Sequence, residues 1–220
     1  MAQPVGLVYD SFNRLLVSDS VAGTIFAFDN NGEYLGHFGE DSLHRPCGIA
    51  FDKERNRILV VDSDYHQLIV LAMDGELIER VGKRGTGLGE FNYPTHVTID
   101  GSGRVFVSDS LNFRVQVFDR DYHAIRQIGK KGDMPGYFSL PKGVAVDPEG
   151  HLYVVDAQFE AVQLFDESGR LLMTFGNEGH GPGEFWLPTG IFIDGQNRIW
   201  VADLYNHRVQ VFDFLMQVKS

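Results

Sequence analysis

Apolar residues in this chain come in short, nearly continuous runs rather than at the spacing of an amphipathic helix. The clearest stretch holds four such runs: GVAVD (143–147), HLYVVD (151–156), AVQLFD (161–166) and LLMTFG (171–176). Each run has the length of a β-strand, and turn-forming residues separate the runs. The pattern predicts four consecutive strands, and such runs are typical of sheets that are covered on both faces.

The four-run unit recurs five times along the chain. The first run of each copy ends in Asp and opens with a proline, at Pro4, Pro46, Pro94, Pro141 and Pro188, with spacings of 42, 48, 47 and 47 residues. The second run closes on Asp19, Asp62, Asp109, Asp156 and Asp203, with spacings of 43, 47, 47 and 47 residues. Four strands in roughly 40 to 50 residues is the period of a propeller blade. We therefore predict an all-β fold, a β-propeller of four-stranded antiparallel blades.

Three recurring motifs resemble NHL repeats, and the resemblance spans nearly the whole chain. A P-x-G opening stands at 46–48, 141–143 and 188–190, and G-x-F stands ahead of the proline at 89–91, 136–138 and 183–185. The motif D-x-x-N-x-R-[IV]-x-x-F is complete at 109–118 and 203–212. The resemblance implies one propeller domain over residues 1–220, with repeats at approximately 4–45, 46–93, 94–140, 141–187 and 188–220.

Such propellers usually have six blades, whereas this chain carries five repeats. We therefore expect a six-bladed ring that lacks one N-terminal blade, with residues 214–220 as a truncated outer strand; a closed five-bladed ring is the alternative. An open ring would leave blade faces bare, which favours self-association through the end blades.

Composition narrows the partners. The chain has 19 Lys and Arg and 30 Asp and Glu, which gives a formal net charge of −11. This negative charge disfavours binding to nucleic acid and to anionic membranes. An RNA-binding role, known for some tripartite-motif relatives, ranks third because the basic residues form no stripe. A single cysteine excludes an internal disulfide framework, and neither a signal peptide nor an 18-residue apolar run is visible. The chain is predicted to be soluble, and cytoplasmic unless a missing N-terminal segment directs it to the periplasm or outside the cell.

Polar residues that recur in every repeat are interpreted as structural. The Asp that ends each second strand can accept backbone N–H groups of the following turn. Arg114 and Arg208, five residues after such an Asp, are expected to pair with a repeat carboxylate rather than to contact a ligand.

Residues that break the repeat are better candidates for function. His96 replaces a Gly at the entrance of an innermost strand, near the mouth of the expected channel, and His66 and His207 each follow a repeat Asp by four residues. These three histidines are candidate metal ligands, with Zn or Ca as the ions to consider, although no cofactor is predicted.

Aromatic residues supply the candidates for binding a partner. Phe91, Phe138 and Phe185 belong to the repeated G-x-F and are expected to fill space between blades. Rings at non-repeated loop positions could instead anchor a protein, a peptide or a small ligand. Together with His96, these candidates are Tyr93, Phe113, Tyr137, Phe159, Trp186 and Tyr205.

The favoured function is a non-catalytic scaffold that binds its partner on one propeller face. The zinc-dependent peptidyl-amidoglycolate lyases have a similar repeat architecture, with histidines directly after the strand-opening proline. None of those positions holds a histidine in this chain, so the match to these lyases fails there. The residues present are Val5, Cys47, Thr95, Lys142 and Thr189. A metal-dependent lyase or hydrolase with a site near His96 is the alternative function.

Overall fold

The computed structural model describes residues 1–213, and the outer strand expected at 214–220 lies outside the described residues. The described chain forms five antiparallel sheets with consecutive strands side by side, which confirms the predicted propeller blades. The only helical element among residues 1–213 is one 3-10 turn, Ser110–Asn112, and no helix there has the length and hydropathy to span a membrane. The chain divides into two compact units, 1–128 and 129–220, so the single domain stays a prediction.

Unit 1 contains the first three blades, each with four strands. The strands are β1 Pro4–Tyr9, β2 Leu15–Asp19, β3 Thr24–Phe28, β4 Tyr34–Phe38, β5 Pro46–Asp52, β6 Arg57–Asp62, β7 Gln67–Leu71, β8 Leu77–Val81, β9 Pro94–Ile99, β10 Val105–Asp109, β11 Arg114–Phe118 and β12 Ala124–Ile128. Apolar side chains of facing sheets meet in two clusters, which include Ile25 with Ile58 and Leu68 with Val107. Burial of these clusters stacks the blades, because one sheet cannot cover both of its own faces.

Unit 2 contains the fourth blade and three described strands of the fifth. The strands are β13 Pro141–Val146, β14 Leu152–Asp156, β15 Ala161–Phe165, β16 Leu171–Phe175, β17 Pro188–Ile193, β18 Arg198–Asp203 and β19 Arg208–Asp213. Tyr153, Val155 and Phe185 of the fourth repeat pack with Ile199 and Val201 of the fifth. This cluster joins the two blades of unit 2.

The strand-opening proline is the first residue of each innermost strand, where its missing N–H is tolerated. Pro46 lies opposite Asp62, and the register then shifts before Ile49 pairs with Val60. Gly48 follows this irregularity, and a Cβ built on it would lie only 2.6 Å from Cα of His96 in the next innermost strand. The backbones of β5 and β9 therefore approach more closely than any larger residue at position 48 allows.

Candidate functional site

The Asp that ends each second strand ties two loops together. In the fifth blade, Oδ1 of Asp203 accepts the N–H of Trp186 at 2.8 Å, and Oδ2 accepts Nδ2 of Asn206 at 2.9 Å and Nε of Arg208 at 2.8 Å. Burial raises the pKa of Asp203, but these donors outweigh it and hold the pKa below the usual value. The predicted bonds to backbone N–H groups of the following turn are present in other blades, where Asp62 accepts those of Asp64 and Tyr65. The bonds to the loop before the innermost strand are an addition to that prediction.

Arg208 extends the network into the loop at 177–187. Nη2 of Arg208 donates to the carbonyl oxygen of Gly181 at 2.7 Å and to that of Glu184 at 2.8 Å. Nε of the same side chain pairs with the repeat carboxylate of Asp203. Glu184 in turn accepts the N–H of Gly181 at 2.7 Å. These bonds fix the loop backbone, which reduces the entropy that would be lost if the loop bound a partner.

Three rings lie side by side on this loop and on the turn between β18 and β19. The ring of Trp186 lies 5.2 Å from that of Tyr205 and 5.3 Å from that of His180, measured between centroids. Trp186 is 41% exposed and Tyr205 49% exposed. Nδ1 of His180 lies 2.6 Å from Oδ1 of Asn206, which orients the imidazole. We call His180, Trp186 and Tyr205 the aromatic loop cluster.

The G-x-F phenylalanine and its neighbour have opposite environments. Phe185 is fully buried and packs against Phe212, with ring centroids 5.8 Å apart, whereas the adjacent Trp186 is exposed. Phe91 and Phe138 are also fully buried. This contrast agrees with the expectation that the repeated Phe fills space in the core while the variable residue beside it is available to a partner.

A second ring pair lies in unit 1. The N–H of Tyr93 donates to Nδ1 of His66 at 3.0 Å, and the two rings meet edge to face with centroids 4.7 Å apart. Burial of the imidazole, together with the charge of Arg84, lowers the pKa of His66. The backbone of Tyr93 and that of His66 both have positive φ, at 50° and 55° respectively.

The remaining candidates are dispersed over both units. His96 is half-buried in β9, and His207 is exposed in unit 2, at the turn position that His66 occupies in its own blade. The joint metal site of His66, His96 and His207 stays a prediction. Phe113, Tyr137 and Phe159 are half-buried, and Nζ of Lys130 lies 4.4 Å from the centroid of the Tyr137 ring.

Sequence reasoning predicted Trp186 and Tyr205 as partner-binding residues but missed His180. The signal was present, because Thr86 and Asp133 occupy the corresponding places in the two preceding glycine-rich loops. His180 is therefore an exception to the repeat in the same sense as His96.

Comparison with known protein families agrees with the fold. Residues 49–104 and 146–219 match a family model described as a 6-bladed beta-propeller, and residues 91–118 match the NHL repeat. These matches confirm the resemblance inferred from the repeated motifs. No curated protein sequence matches the chain significantly.

Solved structures with the same fold include proteins of different roles. Catalytically inactive virginiamycin B lyase from Staphylococcus aureus, solved with quinupristin, has a TM-score of 0.72 at 14% identity over 100% of this chain and 72% of that chain. A chain of the nidogen/laminin complex has a TM-score of 0.76 at 20% identity over 96% and 75% of the two chains. A protein provisionally described as a gluconolactonase has a TM-score of 0.71 at 16% identity over 96% and 77%. At these identities the similarity extends to the fold alone.

Proposed function

The chain belongs to the 6-bladed β-propeller family, and on that premise we propose that it is a non-catalytic binding module. Its partner, a protein or peptide, docks on the aromatic loop cluster of His180, Trp186 and Tyr205. Fold alone does not decide function in this family, so the proposal rests on the site.

The observation that carries the proposal is that exposed aromatic rings stand on a rigid loop. Trp and Tyr are the residues that most often dominate the energy of binding interfaces. The bonds of Asp203 and Arg208 hold the backbone under the rings before any partner arrives. The presence of a related fold in the nidogen/laminin complex supports a protein partner over a small ligand.

The experiment is selection of peptides on the immobilised full chain, with no selection for or against dependence on Trp186. Affinities of the selected peptides are then measured by the fluorescence anisotropy of dye-labelled peptides, a readout that does not depend on Trp186. We expect Trp186→Ala and Tyr205→Ala to weaken binding by at least about 30-fold, the value of roughly 2 kcal/mol that defines a binding hot spot.

The matched control is Tyr9→Ala, which removes an exposed aromatic ring of unit 1 that lies outside the cluster. Peptides that bind the Trp186→Ala and Tyr205→Ala variants as tightly as the original chain, but lose affinity for the Tyr9→Ala variant, would refute the proposed surface.

The alternative function, a metal-dependent lyase or hydrolase near His96, retains one supporting observation. His96 stands on an innermost strand where the other repeats have Gly, and Gly48 closely approaches its backbone. Its test is the metal content and hydrolytic activity of the purified chain beside those of a His96→Gly variant. Loss of both in the variant would favour the enzyme over the binding module.

A further inference from the structure

The turn between the first and second strands of a blade usually carries a permanent ion pair. Nε of an Arg lies 2.6–2.7 Å from Oδ2 of the Asp four residues before it, and the same Asp accepts the N–H of that Arg. The pairs are Asp10 with Arg14, Asp100 with Arg104, and Asp194 with Arg198. The guanidinium neutralises a carboxylate that the turn encloses.

The fourth blade replaces this arginine by His151. The backbone geometry is retained, because the N–H of His151 donates to Oδ1 of Asp147 at 2.8 Å, and Nδ1 of its ring lies 2.8 Å from Oδ2. An imidazole, unlike a guanidinium, has a neutral form whose nitrogen lone pair can bind a metal ion. In the fourth turn, a side chain that is always a cation is therefore replaced by one that is able to bind a metal ion.

A second carboxylate lies beside the first. Asp147 is buried, Glu149 is exposed, and one ligand atom each of Asp147, Glu149 and His151 lie within 4.8 Å of one another. Among residues 1–213 neither carboxylate lies within ion-pair distance of a Lys or Arg. The nearby Tyr153 donates to Oδ2 of Asp147 at 3.2 Å, and burial together with the two carboxylates raises the pKa of its hydroxyl.

An independent observation comes from the neighbouring turn of the fifth blade. Nδ2 of Asn197 donates to Oε2 of Glu149 at 3.3 Å, while its Oδ1 is buried without a hydrogen-bond partner among the described residues. A buried carbonyl oxygen without a partner is costly, and a bound ion is one of the explanations for such an atom. Rotation of this amide would turn its oxygen toward Glu149, where a cation could use it.

We propose that Asp147, Glu149 and His151 bind one divalent transition-metal ion of the Zn²⁺ type, with Asn197 as a supporting ligand. The donor set of two carboxylates and one imidazole suits Zn²⁺, whereas Ca²⁺ and Mg²⁺ prefer oxygen ligands alone. The exposed side chain of Glu149 can move to close the coordination around the ion. No residue of this site belongs to the aromatic loop cluster.

The chain offers a matched control turn. Asp119, Asp121 and His123 have the same spacing as Asp147, Glu149 and His151, but NH2 of Arg55 lies 2.7 Å from Oδ1 of Asp121 and neutralises it. Nδ1 of His123 is also farther from its Asp, at 3.5 Å from Oδ2 of Asp119. This turn also has two carboxylates and one imidazole, but it lacks the uncompensated charge of the fourth-blade turn.

The experiment is calorimetric titration of the metal-free full chain with ZnCl₂ at pH 7.5, and separately with CaCl₂. We expect one Zn²⁺ site per chain and no comparable Ca²⁺ site. His151→Arg restores the ion pair of the other blades, so this variant should keep its melting temperature while Zn²⁺ affinity falls at least about tenfold. His123→Arg should leave the affinity unchanged.

A second variant and a second readout keep the proposal testable if His151→Arg folds poorly. Glu149→Gln, on an exposed side chain, should also weaken Zn²⁺ binding by at least about tenfold. Zn²⁺ should raise the melting temperature of the original chain but not that of either variant, because only a ligand of the folded state stabilises it. Equal Zn²⁺ binding by the original chain and both variants, or Ca²⁺ binding as tight as Zn²⁺ binding, would overturn the proposal.

Discussion

The backbone N–H of Tyr93 donates to Nδ1 of His66, 3.0 Å away, so the ring of a buried histidine must stay neutral at that nitrogen. Protonation of Nδ1 would remove the acceptor and place a charge beside Arg84, which is why the pKa of His66 is lowered by burial and by that charge. The hydrogen bond between His66 and the loop that carries Tyr93 therefore depends on the pH of the solution.

Mild acid should weaken this link. Since the pKa of His66 is lower in the folded chain than its usual 6.5, its contribution is fully present above pH 6.5 and is lost as the pH falls through the lowered pKa. His66→Asn introduces a residue that tolerates the positive φ of this turn but does not titrate. Urea unfolding at pH 7.5 and pH 5.0 should show the original chain losing more stability than the variant. Parallel losses would contradict this assignment.

Loss of Arg114 should cost more than loss of Arg208. Both pair with a repeat Asp at 2.8 Å and donate to two backbone carbonyl groups, but the Arg114 side chain is 6% exposed and that of Arg208 is 30% exposed. Arg114→Ala leaves Asp109 charged, buried and without its cation, which should destabilise the fold by about 3 kcal/mol. Arg208→Ala should cost about 1 kcal/mol, because this guanidinium is partly exposed and water can take its place beside the buried Asp203. Denaturant titration of both variants measures the difference, and equal costs would contradict it.

The close approach of β5 and β9 makes Gly48 irreplaceable. Gly48→Ala would place Cβ 2.6 Å from Cα of His96, against backbone that cannot rotate away, and should destabilise the chain by about 1 to 3 kcal/mol. Gly101→Ala is the control, because nothing lies within 4 Å of a Cβ at that position and its φ is not positive. Thermal melting should separate the two variants, and a Gly48→Ala variant as stable as the control would show that the strands can move apart.

Strong acid should act through the turn at Asp166. The hydroxyl of Ser168, together with the N–H and guanidinium of Arg170, lowers the pKa of Asp166 to about 2. A carboxylate with a lowered pKa contributes stability above its usual 3.8 and loses it as the pH falls through about 2. The melting temperature of Asp166→Asn should therefore lie below that of the original chain at pH 6 and approach it at pH 2. A difference that does not change with pH would mean that the carboxylate's charge is not the cause.

Two sheets, one in each unit, have apolar side chains on exposed faces. On β1 these are Val5, Leu7 and Tyr9, and on the fifth blade they include Phe192, Val209 and Val211. Leu7 also lines a pocket of about 440 Å³ on the first blade. Exposed patches of this kind commonly mark association surfaces.

We expect concentration-dependent self-association in sedimentation velocity, reduced separately by Leu7→Lys and by Phe192→Lys. Leu88→Lys changes an exposed leucine of a loop, away from either sheet face, and should not reduce it. A chain that sediments as one monomeric species at every concentration would rule out association through these faces.

The parts of this molecule that could be predicted from sequence are those that repetition displays five times. Pro46 and Asp62 mark the same register in each blade, so the strands and the structural role of the Asp followed directly. The cluster around Trp186 was predicted only in part, because the contact of His180 with Trp186 joins two ends of one glycine-rich loop.

The fourth-blade metal site was not foreseen. His151 stands where the corresponding turns of three other blades have Arg, and a single substitution of this kind does not form a sequence motif. Asn197 is 48 residues away from Glu149 in the chain, so their contact is not visible in the sequence. Whether these side chains can bind a cation depends on whether a Lys or Arg neutralises the carboxylates. Only the positions of the side chains show that.

The bonds of the repeat Asp residues also bear on how the chain acquires its structure. Each carboxylate binds a loop 16 to 18 residues earlier, as Asp109 binds the N–H of Asn92 and Asp156 those of Ser139 and Leu140. Contacts between residues so near in sequence close quickly, because little chain entropy is lost in forming them. Each repeat can therefore secure its own entry loop soon after its second strand leaves the ribosome, before the next repeat has been synthesised. Pulse-labelling hydrogen exchange should find the amide of Ser139 protected at the same time as β13 and β14, the strands of the blade that contains Asp156.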